Sequence, residues 1–177
     1  ADDTILLESD LIYEPGVIRA LVEHPAPDAA TVARYEQWMD GTVTLLDESG
    51  RIVEFVEKKN FAFSRAGEYY KTVNIYKFSR DFSRRHYLPF LEAYIQAYGQ
   101  NEYYELVLKA IAHLAHSGLK AFKLAGQKWY EIDDAQDLDI AEALFAEGAD
   151  QLVRYQKRYG GYWRFSGLLD YCYLVNP

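Results

Sequence analysis

A run of acidic residues occupies residues 129–139, where a predicted strand gives way to a predicted helix. Residues 121–130 favour a strand with a turn at Gly126, and residues 134–145 carry an apolar stripe at helical spacing. Carboxylates at a helix start satisfy free backbone N–H groups and meet the favourable end of the helix dipole, which explains one or two of the five. The alternative role for the remaining carboxylates is to bind a cation. The five are Glu131, Asp133, Asp134, Asp137 and Asp139.

The composition is that of a folded protein with an acidic surface. The 177 residues are 50% hydrophobic and 16% aromatic, far from a disordered composition. A net charge of -8, with no Lys/Arg stripe, argues against nucleic acid as a partner. The single cysteine, Cys172, excludes an internal disulfide and a cysteine-based zinc site. No apolar run has the length of a membrane span and no signal peptide is visible, so we expect a cytoplasmic protein that does not bind membranes.

The predicted elements alternate between strands and helices. Strands are predicted at residues 4–9, 31–35, 41–46, 51–56 and 69–78. Helices are predicted at residues 15–22, 80–84, 87–98, 102–115 and 149–159. Helices interleaved with strands predict an α/β fold, a three-layer, Rossmann-like sandwich with a mixed, mostly parallel sheet.

Asp10 and Asp133 stand at equivalent positions, each directly after a predicted strand. In open α/β sheets, ligands bind beyond the carboxyl ends of the strands. Two carboxylates there can coordinate one Mg²⁺ ion, whose other coordination positions are filled by water and phosphate oxygens. A turn or cap role is the alternative for each residue. The pair nevertheless makes a magnesium site the more specific prediction.

Short motifs in a fixed order carry a resemblance to a known family. They are Leu7-Glu8-Ser9-Asp10-Leu11, Trp38, Gly41-Thr42-Val43, Gly50-Arg51-Ile52, Asn74-Ile75-Tyr76, Tyr103-Tyr104-Glu105, Tyr130-Glu131-Ile132-Asp133 and Gln136-Asp137. From about Leu6 to Phe145 the chain resembles the small-molecule nucleotidyltransferases, above all the cytidylyltransferases that activate phosphocholine or 2-aminoethylphosphonate. The resemblance implies transfer of CMP from CTP to such a substrate, with release of pyrophosphate. It also implies that Asp10 and Asp133 hold Mg²⁺.

The same resemblance implies residues that bind the acceptor. Positions matching the amine-binding box of the phosphocholine enzymes are Trp38, Tyr76, Tyr103, Glu105 and Glu131. Aromatic faces and carboxylates both attract an ammonium group, so this set points to an aminoalkyl substrate. Lys58 follows Glu57 in a segment similar to the one with which sugar nucleotidyltransferases hold the substrate phosphate. Core positions for the aromatic residues, and solvated positions for Glu105, Glu131 and Lys58, are the alternatives.

Both ends of the chain predict a piece of a longer protein. The family's Gly-rich, basic nucleotide-binding loop is absent from the sequence, so we expect it upstream of Ala1 and expect this chain to be inactive alone. Residues 158–164 and 169–177 are similar to the lead-in of pyridoxal-phosphate aminotransferases. We therefore predict that residues 1–148 are the C-terminal portion of an N-terminally truncated nucleotidyltransferase domain. Residues 149–177 would be a helical linker to an aminotransferase-like domain, which would bind the pyridoxal phosphate and form a homodimer.

Three functions stay open at this point. The first is a cytidylyltransferase for a small amine-bearing phosphate or phosphonate. The second is a sugar-1-phosphate nucleotidyltransferase, and the third is a non-catalytic scaffold domain of the same fold. Sugar hydroxyls call for Asn, Gln and backbone partners, so a set of aromatic rings and carboxylates favours the first. Under it, Glu131 faces the substrate amine, Asp133 the metal, and Asp134 and Asp137 cap the helix.

Overall fold

A computed structural model of the chain describes residues 2–114 and 117–146. Its contacts divide it into two units, one of Ala1–Glu8 with Pro15–Gly126 and one of Ser9–Glu14 with Gln127–Pro177. The predicted helix at residues 149–159 and the aminotransferase-like segment lie outside the described residues. Within them, no helix combines the length and the apolar character that a membrane span requires.

The elements follow the predicted order, except that β2 was not predicted. The strands are β1 (Thr4–Leu7), β2 (Leu11–Tyr13), β3 (Ala29–Arg34), β4 (Val43–Leu46), β5 (Ile52–Val56), β6 (Tyr70–Phe78), β7 (Lys120–Lys123) and β8 (Trp129–Glu131). The helices are α1 (Gly16–Glu23), α2 (Arg80–Phe82), α3 (Leu88–Tyr98), α4 (Glu105–Ala112) and α5 (Ala135–Phe145), with a π turn, Ser83–Tyr87, joining α2 to α3. The strands and helices predicted for these residues are confirmed. The predicted strand at residues 121–130 is divided around Gly126, whose φ of 97° forms the turn.

The larger unit is built on a six-stranded sheet in which β5, β4, β6, β3 and β7 lie side by side and β1 also pairs with β6. Among the described strands of this sheet, β3 and β7 form the parallel pair. The other pairings are antiparallel. The predicted mostly parallel sheet is therefore wrong, although the sheet is mixed. Parallel neighbours need a long crossover, usually a helix, whereas β3, β4, β5 and β6 follow one another without an intervening α-helix.

The main hydrophobic core lies between α4 and this sheet. Val107, Leu108 and Ile111 of α4 are buried, at 1%, 0% and 0% exposure. They belong to one cluster with Ala30, Val32, Ile52, Phe55, Tyr76, Phe78, Phe82, Ala112 and Leu119. Full burial of a side chain of this size contributes about 1.5–3 kcal/mol to stability. This packing fixes α4 on the sheet and, with it, the position of Glu105 in its first turn.

A gap interrupts one side of β6. There β4 pairs with Tyr70 and Lys71, and β1 pairs with Ile75 and the residues after it. Thr72, Val73 and Asn74 lie between these pairings and pair with neither strand. We call them, together with Glu8, Thr42 and Glu105, which bind to them, the notch. The backbone N–H of Glu8 donates to the Asn74 carbonyl at 3.3 Å, and that of Thr72 donates to the Thr42 carbonyl at 3.3 Å.

Asn74 gives the notch its unusual backbone. Its φ is 59°, a left-handed conformation that Asn adopts more readily than most residues do. On the other side of β6, the register with β3 shifts between Ala30 and Val32, next to the same segment. A shift of this kind redirects side chains at the edge of a ladder. The polar groups of the notch are thus held in place by an irregular stretch of strand.

Candidate functional site

Glu105 lies at the centre of a hydroxyl cluster in the larger unit. Its carboxylate accepts hydrogen bonds from Thr42 Oγ1 at 2.7 Å and from the Tyr76 O–H at 3.3 Å. Thr72 Oγ1 lies 3.2 Å from it and shares its one proton between Glu105 and the Thr42 carbonyl, which is 3.1 Å away. We call these four residues the Glu105 cluster. The three donors are neutral, and within the described residues no Lys or Arg forms an ion pair with Glu105. The cluster therefore orients a carboxylate that is in no direct ion pair, while the Lys71 ammonium contacts the cluster through Thr72 Oγ1 at 3.4 Å.

Two buried tyrosines extend the cluster toward Glu8. Tyr76 has no exposed surface, and its ring meets that of Tyr104 edge to face at 5.9 Å. Burial, followed by the charge of Glu105, raises the pKa of Tyr76. Burial, followed by the negative charge of Glu8, raises the pKa of Tyr104. Both phenols therefore remain protonated at neutral pH and can donate hydrogen bonds to the carboxylates.

Glu8 adds a second carboxylate at the notch. It accepts a hydrogen bond from Asn74 Nδ2 at 2.6 Å, and it is half-buried. The side chain of Asn74 thus holds Glu8 while its backbone supplies the carbonyl that binds the Glu8 N–H. Hydrogen bonds of this kind to an ionised acceptor are the stronger class. The notch consequently presents two oriented carboxylates, Glu8 and Glu105.

Lys71 lies on the other side of the notch. It is 3% exposed, and its Nζ lies 3.4 Å from Thr72 Oγ1. The chain passes close to it at Gly41, whose φ is 85° and where an added Cβ would lie 3.3 Å from Lys71 Nζ. A glycine therefore suits this position on both conformational and steric grounds.

The structure brings together only some of the predicted acceptor residues. Tyr76 and Glu105 share a hydrogen bond. Tyr103 is 80% exposed, although it lies two residues before Glu105. Trp38 is half-buried, and its indole N–H donates to Glu36 at 2.7 Å. Glu131 is half-buried in β8, in the other unit.

Several residues of the notch have no counterpart in the predicted set. They are Glu8, Thr42, Lys71, Thr72, Asn74 and Tyr104. Thr72 and Thr42 reach Glu105 from 33 and 63 residues away in the chain, so no local pattern connects them. Glu8, Thr42, Asn74 and Tyr104 do fall inside the family-like motifs, and their place in those motifs was the available signal.

Lys58 lies in a short 3₁₀ turn, Lys58–Asn60, directly after Glu57. Its ammonium pairs with Asp40, and the two side chains are 73% and 68% exposed. The hydrogen bond from Lys58 lowers the pKa of Asp40. Glu57 instead binds Lys109 of α4 at 2.6 Å and Lys59 at 2.7 Å. The Lys58 side chain is thus open to solvent. Because an exposed ion pair of this kind is weak, its ammonium can leave Asp40.

The second unit places Asp10 and Asp133 at the same end of a two-stranded ribbon. Strands β2 and β8 are antiparallel, with Leu11 opposite Glu131. One residue further on, the N–H of Ile132 donates to the carbonyl of Asp10 at 2.9 Å. Neither Asp10 nor Asp133 uses its carboxylate in a hydrogen bond or ion pair with the described residues. Both carboxylates are exposed and available to a ligand.

The neighbouring acids have structural roles instead. Asp134 is the N-cap of α5, accepting hydrogen bonds from the N–H groups of Gln136 at 2.7 Å and Asp137 at 3.0 Å. Asp137 accepts from the Asp133 N–H at 3.1 Å and from the Tyr130 O–H at 3.2 Å. The predicted capping role is confirmed for Asp134, whereas Asp137 binds the residue before the N-cap and the Tyr130 phenol in place of a helical N–H.

The donor set of Asp10 and Asp133 fits Mg²⁺. Hard carboxylate oxygens are its usual protein ligands, and one or two suffice because water and phosphate oxygens fill the other positions. Within residues 2–114 and 117–146, no cluster of three or more His, Cys, Asp or Glu side chains is arranged to hold a metal. The described residues therefore do not form a closed structural metal site. Asp10 and Asp133 match an open metal site instead, in which water and the substrate supply the remaining ligands.

The chain is similar in sequence to part of a CMP-aminopropylphosphonate synthase. No model of a known protein family matches it. It is 29% identical over 176 residues to the CMP-5'-(3-aminopropyl)phosphonate synthase of Streptomyces rubellomurinus (strain ATCC 31215), a match that covers 98% of this chain and 28% of that protein.

Solved structures show that the fold is that of the nucleotidyltransferases. The CTP:phosphocholine cytidylyltransferase from Streptococcus pneumoniae superposes with a TM-score of 0.61 and 13% identity, over 78% of this chain and 55% of that one. The inositol-1-phosphate CTP transferase from T. maritima gives a TM-score of 0.52 and 17% identity, over 89% of this chain and 55% of that one. The chain thus spans about half the length of these structures.

Proposed function

We propose that this chain, which has a nucleotidyltransferase fold, takes part in CMP transfer from CTP to a small phosphate or phosphonate that carries an amine. The observation that carries the proposal is the Glu105 carboxylate, which three neutral hydroxyls surround and which forms no direct ion pair with a described residue. An ammonium group is the natural partner of such a carboxylate. The similarity over nearly the whole chain to an enzyme named for an aminopropylphosphonate supports the same substrate class.

The groups of the notch favour a primary over a quaternary ammonium. A primary ammonium donates three hydrogen bonds, and a quaternary one donates none. The notch offers carboxylate acceptors in Glu8 and Glu105 and hydroxyl acceptors in Thr42 and Thr72. Tyr103 is too exposed to form a buried aromatic wall with them. We therefore place 2-aminoethylphosphonate or a longer homologue ahead of phosphocholine as the acceptor.

Asp10 and Asp133 are the proposed holders of Mg²⁺. When bound, the ion would neutralise charge on the phosphate oxygens of CTP. In the reaction itself, a phosphonate oxygen forms a bond to the α-phosphorus of CTP while the bond to the β-phosphate oxygen breaks, and pyrophosphate leaves with the electron pair. The acceptor oxygen is already ionised, so no general base is required of this chain.

The other predicted contacts remain proposals. Lys58 is proposed to bind the anionic group of the acceptor, which requires it to leave or share Asp40. Trp38 and Tyr103, and separately Glu131, are proposed to contact the amine-bearing acceptor. We also keep the proposals that residues 149–177 lead into an aminotransferase-like domain, and that the 177 residues alone do not release pyrophosphate from CTP.

A ligand titration separates this function from sugar-1-phosphate transfer, the second candidate, which the Glu57-Lys58 segment favours. The tryptophan and tyrosine fluorescence of the chain is followed while 2-aminoethylphosphonate or glucose-1-phosphate is added with Mg²⁺. We expect saturable binding of the aminophosphonate and weaker binding of the sugar phosphate. Tighter binding of glucose-1-phosphate would reject the amine-bearing acceptor.

A further inference from the structure

Three side chains from three strands meet at one edge of the larger sheet. Arg34 is the last residue of β3, Lys123 is the last residue of β7, and Tyr70 is the first residue of β6. In the ladders, Arg34 lies opposite Tyr70, and Val32 lies beside Lys123. The two basic residues therefore stand at the carboxyl ends of the parallel pair. Ligands of α/β proteins bind preferentially at such ends.

Both cations lie over the same aromatic ring. The guanidinium carbon of Arg34 is 5.1 Å from the centroid of the Tyr70 ring, and Lys123 Nζ is 4.7 Å from it. Each contact is favourable by about 0.5–1 kcal/mol at an exposed site, but the two positive charges repel one another. Tyr70 is half-buried and packs against the main core, so the ring is a fixed platform for both.

No carboxylate in the described part of the chain neutralises these charges. The other contact of the Arg34 guanidinium is a hydrogen bond to the backbone carbonyl of Gly67, which holds its orientation. Lys123 contacts the ring of Tyr70 and its phenol oxygen. In a chain with 27 acidic and 19 basic residues, two adjacent cations that pair with no acid are unusual. A bound anion would remove the repulsion.

We propose that Arg34, Lys123 and the Tyr70 hydroxyl form a binding site for a phosphate- or phosphonate-type dianion. Arg34 supplies N–H donors that its bond to Gly67 leaves unused, Lys123 supplies an ammonium, and Tyr70 supplies its O–H. The arrangement suits an oxyanion because two cations from two strands lie beside the ring and the hydroxyl of Tyr70 on a third. The site shares no residue with the Glu105 cluster or with Asp10 and Asp133.

The electrostatics of Tyr70 agree with an anion site. A hydrogen bond from Lys123, followed by hydrogen bonding from Arg34 and the charges of both, lowers the pKa of Tyr70 against the opposing effect of burial. A dianion bound at the same place would oppose formation of the phenolate. The pKa of Tyr70 should therefore rise when the site is filled, which gives a readout at the proposed residue itself.

The test is a titration of the chain with inorganic phosphate at constant ionic strength, followed by NMR of tyrosine labelled at Cζ. We expect saturable binding and a higher pKa for Tyr70, assigned by its absence in Tyr70→Phe. Lys123→Gln should weaken phosphate binding by about tenfold, because it removes one charge-assisted hydrogen bond. Arg34→Gln should act similarly. Arg85→Gln removes an exposed cation that pairs with Asp81 at 2.8 Å, and is the matched control.

Parallel titrations with ethylphosphonate and CTP identify the source of the anion. Tighter binding of CTP than of phosphate, lost in Lys123→Gln, would assign the site to a nucleotide phosphate; similar binding of all three would assign it to a free oxyanion. No saturable binding of any of them, or binding that Lys123→Gln leaves unchanged, overturns the proposal. Glu105→Gln should leave phosphate binding unchanged, so the outcome is independent of the proposed amine site.

Discussion

The phenol of Tyr76 donates a hydrogen bond of 3.3 Å to the carboxylate of Glu105, and this bond joins β6 to the first turn of α4. It links the two parts of the larger unit whose packing forms the main core. It also completes the set of three hydroxyls around the proposed ammonium-binding carboxylate. The bond therefore contributes both to stability and to the geometry of the site.

Replacing Tyr76 by Phe tests the structural half of that role. The change removes the hydroxyl and keeps the ring, so we expect a loss of about 1.5 kcal/mol in the free energy of unfolding. Urea denaturation followed by circular dichroism measures it. Tyr103→Phe is the matched control, since Tyr103 is 80% exposed, and should change stability by less than about 0.5 kcal/mol. Equal effects of the two changes would contradict the bond.

Alkaline pH should weaken the fold through the same residue. The folded chain raises the pKa of Tyr76, mainly by burial, whereas the unfolded chain titrates at the ordinary value of about 10. The stabilisation is thus complete below the unfolded pKa and falls as the pH rises above it, because the unfolded state then loses a proton that the folded state keeps. The melting temperature should drop above about pH 10, and less steeply in Tyr76→Phe. If the melting temperature fell equally steeply with pH in Tyr76→Phe and in the unsubstituted chain, the assignment to Tyr76 would be contradicted.

Asp133 and Asp134, which precede α5, should differ in their contributions to stability. Asp134→Ala removes the N-cap and should cost about 1 kcal/mol of stability. Asp133→Asn should change stability by less than about 0.5 kcal/mol, because its carboxylate supports no described hydrogen bond. Thermal unfolding measures both effects.

Metal binding should show the opposite order in these two variants. With Mn²⁺ as the probe, followed by water-proton relaxation, we expect Asp133→Asn and Asp10→Asn to weaken binding and Asp134→Ala to leave it nearly unchanged. Equal metal binding in Asp133→Asn and the unsubstituted chain would reject the proposed pair.

Local patterns were sufficient to predict the elements and the helix cap. The acidic, polar start of residues 134–145 predicted a capped helix, and Asp134 is that cap, because capping depends on residues only two and three positions away. The strand at residues 69–78 was likewise predicted from its composition, and β6 occupies nearly the same residues.

Features that depend on contacts between residues far apart in the chain could not be predicted from local patterns. Strand direction depends on which strands pair, so the antiparallel order around β6 was not visible in the alternation of elements. The positive φ of Asn74 and the shift in register depend on β1 and β4 ending at the same place. The hydroxyls of Thr42 and Thr72 reach Glu105 only through that arrangement. The sequence therefore indicated Glu105 and Tyr76, but not the two threonine hydroxyls that complete the cluster.

The most direct measurement compares 2-aminoethylphosphonate with ethylphosphonate, which lacks the ammonium group, by isothermal titration of the unsubstituted chain and Glu105→Gln. We expect the chain to prefer the aminophosphonate by about tenfold, since one charged hydrogen bond distinguishes the two ligands. Glu105→Gln should lose that preference, and Glu102→Gln, an exposed acid three residues earlier, should keep it. An unchanged preference in Glu105→Gln would contradict the proposed recognition of an amine by this carboxylate.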